Sequence, residues 1–157
     1  MPRKGRVTKR EIAPDPKYNS VLVGRFIDKV LKEGKKSIAQ RIVYQAFDMI
    51  AKKTKKDPLL IFSEAIKNAS PYLEIKSRRL GGATYQVPFE VRGDRRSTLA
   101  LRWLIKEAGT KKGAQMPEKL AEEILNAYYN KGNVIKRKGD LHRLAEANKA
   151  FAHLARF

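Results

Sequence analysis

Lys76-Ser77-Arg78-Arg79-Leu80-Gly81-Gly82-Ala83-Thr84-Tyr85-Gln86-Val87-Pro88-Phe89 is the only strand-like stretch in a 157-residue chain, and helical patterns flank it on both sides. Leu73 and Ile75 alternate with polar residues before it, and Tyr85, Val87, Phe89 and Val91 alternate within and after it. Two alternating runs around a Gly-Gly pair read as a β-hairpin. A two-residue Gly81-Gly82 turn pairs Ile75 with Pro88 and puts Leu73 and Ile75 on the face opposite Phe89 and Val91. An odd loop pairs Ile75 with Phe89 and gathers the apolar residues on one face. The pattern therefore predicts a three- or five-residue loop, or a bulge. Apolar residues lie at the base, and Lys76, Arg78 and Arg79 lie toward the tip. At roughly 3.3 Å per residue the cationic half extends about 20 Å beyond the body. The plainest alternative is a solvated hairpin whose charges only keep its edges from pairing with other chains.

Working outward, the charge balance dominates. Lys and Arg total 35 against 16 Asp and Glu, a formal charge of +19. Self-repulsion on that scale opposes compactness, and a polyanion is the natural partner. No strongly basic amphipathic helix suits a membrane surface. There is no cysteine, so neither disulfides nor thiolate metal sites are available. No signal-like or membrane-spanning run is present, and a cytoplasmic protein is the default expectation.

Residues 1–16 read as a basic flexible tail carrying Arg3, Lys4, Arg6, Lys9 and Arg10, which phosphates would order. From Ser20 the period becomes helical. Leu22, Val23, Phe26, Ile27, Val30 and Leu31 form one stripe, with Gly34 as its stop. A second helix buries a broad face from Ile38 to Ala51. Asp57 caps a third, with Pro58 in its first turn. After the hairpin arm (72–92), a fourth helix runs from Asp94 to Ala108, with Trp103 in the core. A loop bearing Lys111 and Lys112 follows, then a fifth helix from Pro117. A final helix runs from about Asp140 toward Leu154, preceded by the cations Lys136, Arg137 and Lys138. The expected fold is mainly α: a six-helix single domain, 1–157, with one protruding β-hairpin between the third and fourth helices.

Two helix starts carry the wrong charge. Lys35-Lys36-Ser37 opens the second helix and Arg95-Arg96-Ser97-Thr98 the fourth. Cations there cost roughly 0.3–1 kcal/mol each against the macrodipole. A bound phosphate turns that repulsion into convergent amides, hydroxyls and cations. Gly34-Lys35-Lys36-Ser37 is not a nucleotide-binding P-loop, because that motif needs a glycine where Lys29 stands. His142 and His153 share a helical face, but no third metal ligand accompanies them. No nucleophile–base set or carboxylate pair stands out. The chain therefore reads as non-catalytic, with no cofactor and no metal.

Pro14-Asp15-Pro16-Lys17-Tyr18, Gly34-Lys35-Lys36-Ser37, the hairpin from Lys76 to Pro88, Leu99-Ala100-Leu101-Arg102-Trp103 and the block from His142 to His153 together resemble the bacterial small-subunit ribosomal protein seven family. The hairpin and the His142–His153 block are the specific parts. Gly93-Asp94 and Gly139 depart from the family pattern.

The resemblance implies a primary binder of small-subunit ribosomal RNA that nucleates the 3′ (head) domain. It also implies a place beside the exit site for tRNA, with messenger RNA nearby and the tip residues Leu80, Gly81, Gly82, Ala83, Thr84 and Tyr85 near the departing tRNA. The implied neighbours are small-subunit ribosomal proteins nine and eleven, the latter met through the C-terminal helix, with the chain a monomer within the subunit. RNA contacts fall on the tail cations, Lys35, Lys36, Ser37, Lys76, Arg78, Arg79, Arg92, Arg95, Arg96 and Arg102. Lys111, Lys112, Lys136, Arg137, Lys138, His142 and Arg143 complete the set. Some members repress their own operon. The competing readings are an architectural DNA protein with a basic arm and an RNA-processing enzyme.

Overall fold

Helical periodicity gives seven helical segments and one hairpin in the computed structural model, which describes residues 12–156. The helices are α1 (Val21–Val30), α2 (Lys36–Thr54), α3 (Pro58–Ala69), α4 (Gly93–Thr110), α5 (Met116–Tyr128) and α6 (Gly132–Ala147), followed by a C-terminal 3₁₀ segment, Lys149–Arg156. The two strands β1 (Leu73–Leu80) and β2 (Ala83–Glu90) lie between α3 and α4. The six-helix expectation thus falls one segment short. Arg3, Lys4, Arg6, Lys9 and Arg10 lie outside the described residues.

One core joins the helices. Phe26, Phe47 and Phe62 meet with ring centroids 5.0 and 5.2 Å apart, and Leu101, Leu104, Leu120 and Ile124 close over them from α4 and α5. Trp103 is buried as expected, but Ile38, assigned to the inward face of α2, is half exposed. Asp57 caps α3 by accepting from the Leu59 amide at 2.9 Å. Within the expected tail, Asp15 is anchored while Ile12 to Pro14 and Pro16 stay exposed. Asp15 is buried, its carboxylate accepts from the amides of Lys17 and Tyr18, and Tyr44 donates to it at 2.7 Å. Burial and that carboxylate push the Tyr44 phenol up to about 12.

The C-terminal boundary moved for a local reason. Gly132 adopts φ +87, and a side chain added there would come within 2.9 Å of Asn126 Cβ, so α6 starts at this turn and not near Asp140. Lys136, Arg137 and Lys138 therefore stand on a helix, not in a loop. Gly139 stays helical on an exposed face, where glycine costs only about 1 kcal/mol.

The hairpin's loop also differs from expectation. Gly81 and Gly82 have φ +56 and +90 and close a two-residue turn, so Leu80 pairs with Ala83, Ile75 with Pro88 and Leu73 with Glu90. Two successive positive φ values are what a type I′ turn requires, and glycine supplies them without strain. The parity rule failed because it assumed one wet face. Val87 and Pro88 are neighbours on β2, point to opposite faces, and are both buried. The arm has cover on both sides, and on β2 it reaches from the base up to the tip residue Tyr85. The 3₁₀ segment packs along β2, with the Phe151 ring 5.3 Å from that of Tyr85, while α6 packs on β1. Of the tip residues, Gly81 to Thr84 are exposed as expected, while Leu80 and Tyr85 are half-buried.

Candidate nucleic-acid interface

Register decides which cations the arm presents together. Glu74, Lys76 and Arg78 share a face with Tyr85, Val87 and Phe89, and Arg79 points the other way. The Lys76 ammonium and the Arg78 guanidinium lie 5.0 and 5.2 Å from the Phe89 ring centre, which holds both against the strand. Buried Glu74 anchors the base. Arg95 donates to it from Nε at 2.8 Å and reaches it from Nη2 at 2.7 Å, and Lys76 Nζ sits 2.9 Å away.

Burial alone would raise the Glu74 carboxyl, but the hydrogen bonds and charges of Arg95 and Lys76 outweigh it and hold Glu74 below its ordinary value. A depressed carboxylate stabilises the fold above its unfolded pKa and loses that contribution as pH falls through the folded value. Glu74→Gln is therefore expected to cost about 1.5 kcal/mol at neutral pH, with the deficit shrinking below about pH 4.5. Urea melts of both proteins across the acid limb check this.

Of the two helix starts, α2 fits the sequence reading most simply. Lys35, Lys36 and Ser37 are exposed, no side chain caps the helix, and Lys35 makes only an exposed pair with Glu33 at 2.7 Å. The start of α4 is more occupied. Arg95 holds Glu74, and Arg96 donates to the Val91 carbonyl at 2.6 Å and pairs with Glu90 at 3.3 Å. Asp94 in the first turn pairs with Arg25 at 3.0 Å.

The remaining cations divide in the same way. Arg92, Arg102, Lys112, Lys136 and Arg143 face solvent. Lys111 is held between Glu122 and buried Glu123, each at 2.9 Å. Arg137 donates to Glu107 at 2.8 Å, with its guanidinium 5.5 Å from the Trp103 ring. Lys138 donates to the Asn68 carbonyl at 2.7 Å, and His142 Nε2 accepts from the Tyr72 amide at 3.1 Å. Burial pushes both Lys138 and His142 below their ordinary values, and the Lys138 charge adds to the effect on His142, so a neutral imidazole suits that hydrogen bond.

Tyr72 was missed from the sequence. Its ring is 58% exposed, with the Arg96 guanidinium 4.9 Å and the Lys138 ammonium 5.5 Å from its centre. Its only signal was an aromatic residue directly after Pro71, where α3 hands over to β1.

These features define a class: a strongly basic, mainly helical protein with a cationic hairpin. Among the described residues no group of His, Asp or Glu is placed to hold a metal ion, and no helix is long and apolar enough to cross a membrane. The chain belongs to the ribosomal protein S7p/S5e family, whose model matches residues 2–149. It is 59% identical over 156 residues to the small ribosomal subunit protein uS7 of Chloroflexus aggregans, covering 99% of both chains. It is 57% identical over 157 residues to that of Roseiflexus sp. strain RS-1, covering all of both, and 58% identical over 151 residues to that of Thermotoga maritima, covering 96% of this chain and 97% of the other. These relatives are structural ribosomal proteins, not enzymes, so the chain is a ribosomal protein of the small subunit.

Proposed function

We propose that this chain binds small-subunit ribosomal RNA directly, as a single RNA-binding domain, and nucleates folding of the 3′ (head) domain. Its hairpin tip, Leu80 to Tyr85, lies beside the exit site for tRNA, with messenger RNA and small-subunit ribosomal proteins nine and eleven as neighbours. Repression of its own operon belongs to the same reading, since a messenger that imitates the ribosomal RNA site would meet the same cations. The observation that carries the proposal is the start of α2, where no side chain caps the helix and Lys35, Lys36 and Ser37 are all exposed, in a chain of charge +19. An architectural DNA protein would call for a wedge at the tip. Here the tip is two glycines, and Pro88 lies back on the strand.

The two helix starts should respond differently to neutralisation. Lys35→Gln with Lys36→Gln is expected to weaken binding to the isolated 3′-domain RNA about tenfold and to stabilise the free protein slightly, because dipole repulsion is relieved. Arg95→Gln with Arg96→Gln should weaken binding too, but also destabilise the free protein by about 1–2 kcal/mol, since Glu74 loses its partner. Filter binding and thermal melts of each pair give both numbers. Unchanged affinity in the lysine pair would remove the α2 start from the interface.

A further inference from the structure

Along the outer side of α3 runs a continuous groove that no residue of the expected RNA contact set lines except Arg96. Two recesses form it, of about 480 and 470 Å³, and they share Ser63 and Lys67. The first ends at Tyr72 and at the opening turn of α4, through Gly93, Arg96 and Ser97. The second ends at Lys56, Leu60 and Tyr128. Both ends pair an aromatic ring with cations. Lys56 Nζ lies 6.0 Å from the Tyr128 ring centre, matching Arg96 and Lys138 around Tyr72.

The groove's polar groups are one-sided. Ser63, Ser70 and Ser97 each donate their hydroxyl proton to a helix carbonyl, at 2.9, 2.7 and 2.9 Å. Their oxygens are left as acceptors, suited to base amino groups and ribose 2′-hydroxyls. Asp57 is turned to the Leu59 amide as a cap, and Glu64 is the one other carboxylate along the groove. Against it stand Lys56, Lys67 and Arg96.

We infer that this groove along α3 seats a single-stranded segment of RNA, with Lys56 and Lys67 on its phosphates and Tyr72 and Tyr128 marking the two ends of the track. The inference rests on the RNA-binding reading and adds a second face to it. The chemistry favours a strand over a protein segment, because rings flanked by cations and acceptor-only hydroxyls match bases and backbone. It favours a strand over a duplex because the cations line a recess. Helix α3 has twelve residues, about 18 Å at 1.5 Å each, room for on the order of five stacked nucleotides.

Leu60 lies in the groove and is 66% exposed, so p-benzoylphenylalanine placed there is a direct reporter. Irradiating its complex with isolated 3′-domain ribosomal RNA should give an RNA adduct mapping to a single-stranded segment. Lys56→Gln with Lys67→Gln should lower the log–log salt slope of binding by about 1.5, two phosphate contacts at 0.7–0.9 each, with the thermal midpoint unchanged. Formation of the complex without an adduct at position 60 and without a change in slope overturns the groove while leaving direct RNA binding standing. An adduct to a ribosomal protein in assembled subunits overturns it as well. Failure of the wild-type chain to bind the RNA at all would bring down both readings.

Discussion

Affinity for the isolated 3′ domain of small-subunit ribosomal RNA is expected to fall at least a thousandfold as salt rises from about 50 to about 200 mM. The reasoning starts from which cations are available. Lys35, Lys36, Arg79, Arg92, Arg102, Lys112, Lys136 and Arg143 are exposed and hold no buried partner. If most of these dock on phosphates, each displaces a counterion, and a log–log slope steeper than about −5 results. Removing residues 1–11 takes away five more cations, Arg3, Lys4, Arg6, Lys9 and Arg10. That deletion should flatten the slope further while leaving the free protein's thermal midpoint nearly unchanged, because the anchor at Asp15 is retained. A wild-type slope flatter than about −2 would contradict the polyanion reading of this surface.

The second large effect concerns Lys111, a residue that the family resemblance places among the RNA contacts. It spans from the end of α4 to the middle of α5, where Glu123 is 1% exposed; Lys111 pairs with its Oε1, and its Oε2 has no hydrogen-bond partner among the described residues. Lys111→Met keeps the aliphatic stem but strands a buried carboxylate, which costs about 3 kcal/mol or more and lowers the midpoint by about 10 °C in a chain of this size. Burial alone would depress the Lys111 ammonium, yet the hydrogen bonds and charges of Glu123 and Glu122 prevail and raise it. A raised lysine stabilises the fold fully below its unfolded value of 10.5 and loses that contribution as pH rises through the folded value. The deficit of the variant should therefore be constant from neutral pH to about 10 and narrow only above it. Calorimetry at pH 7 and 10 gives the test, and a loss under about 1 kcal/mol would mean that Glu123 is served by another group.

Much of this molecule was legible from pattern alone, for identifiable reasons. Helices α1 to α5 declared themselves because their apolar stripes face one core, and Asp57, Pro58 and Pro117 punctuate them by fixed backbone rules. The hairpin was legible as a hairpin. Its loop was not, because parity predicts register only when one face is solvated, and here Val87 and Pro88 are buried back to back. The C-terminal region misled because Gly139 and the cations beside it look like a break, while the actual start is fixed at Gly132 by crowding from Asn126. For the interface, sequence could count cations but not assign them. Lys35 and Arg95 look equivalent at their helix starts. Only the fold brings Glu74, distant in sequence, under Arg95 and leaves Lys35 facing outward.

The 3₁₀ geometry of residues Lys149–Arg156 sets a matter of gauge. A 3₁₀ turn rises about 2.0 Å per residue, against about 1.5 Å in an α-helix. The eight residues consequently measure about 16 Å, the span of roughly five strand residues at 3.3 Å. Wound as an α-helix, the same residues would measure only about 12 Å. With three residues per turn, Phe151 and Leu154 align on one edge, and both are half-buried. The stretched winding thus spans about five of the eight residues of β2, where an α-helix of the same residues would span fewer than about four. Rewinding it would draw Phe151 out of step with Tyr85, so the pitch of the chain's last turns determines how far along the arm its support reaches.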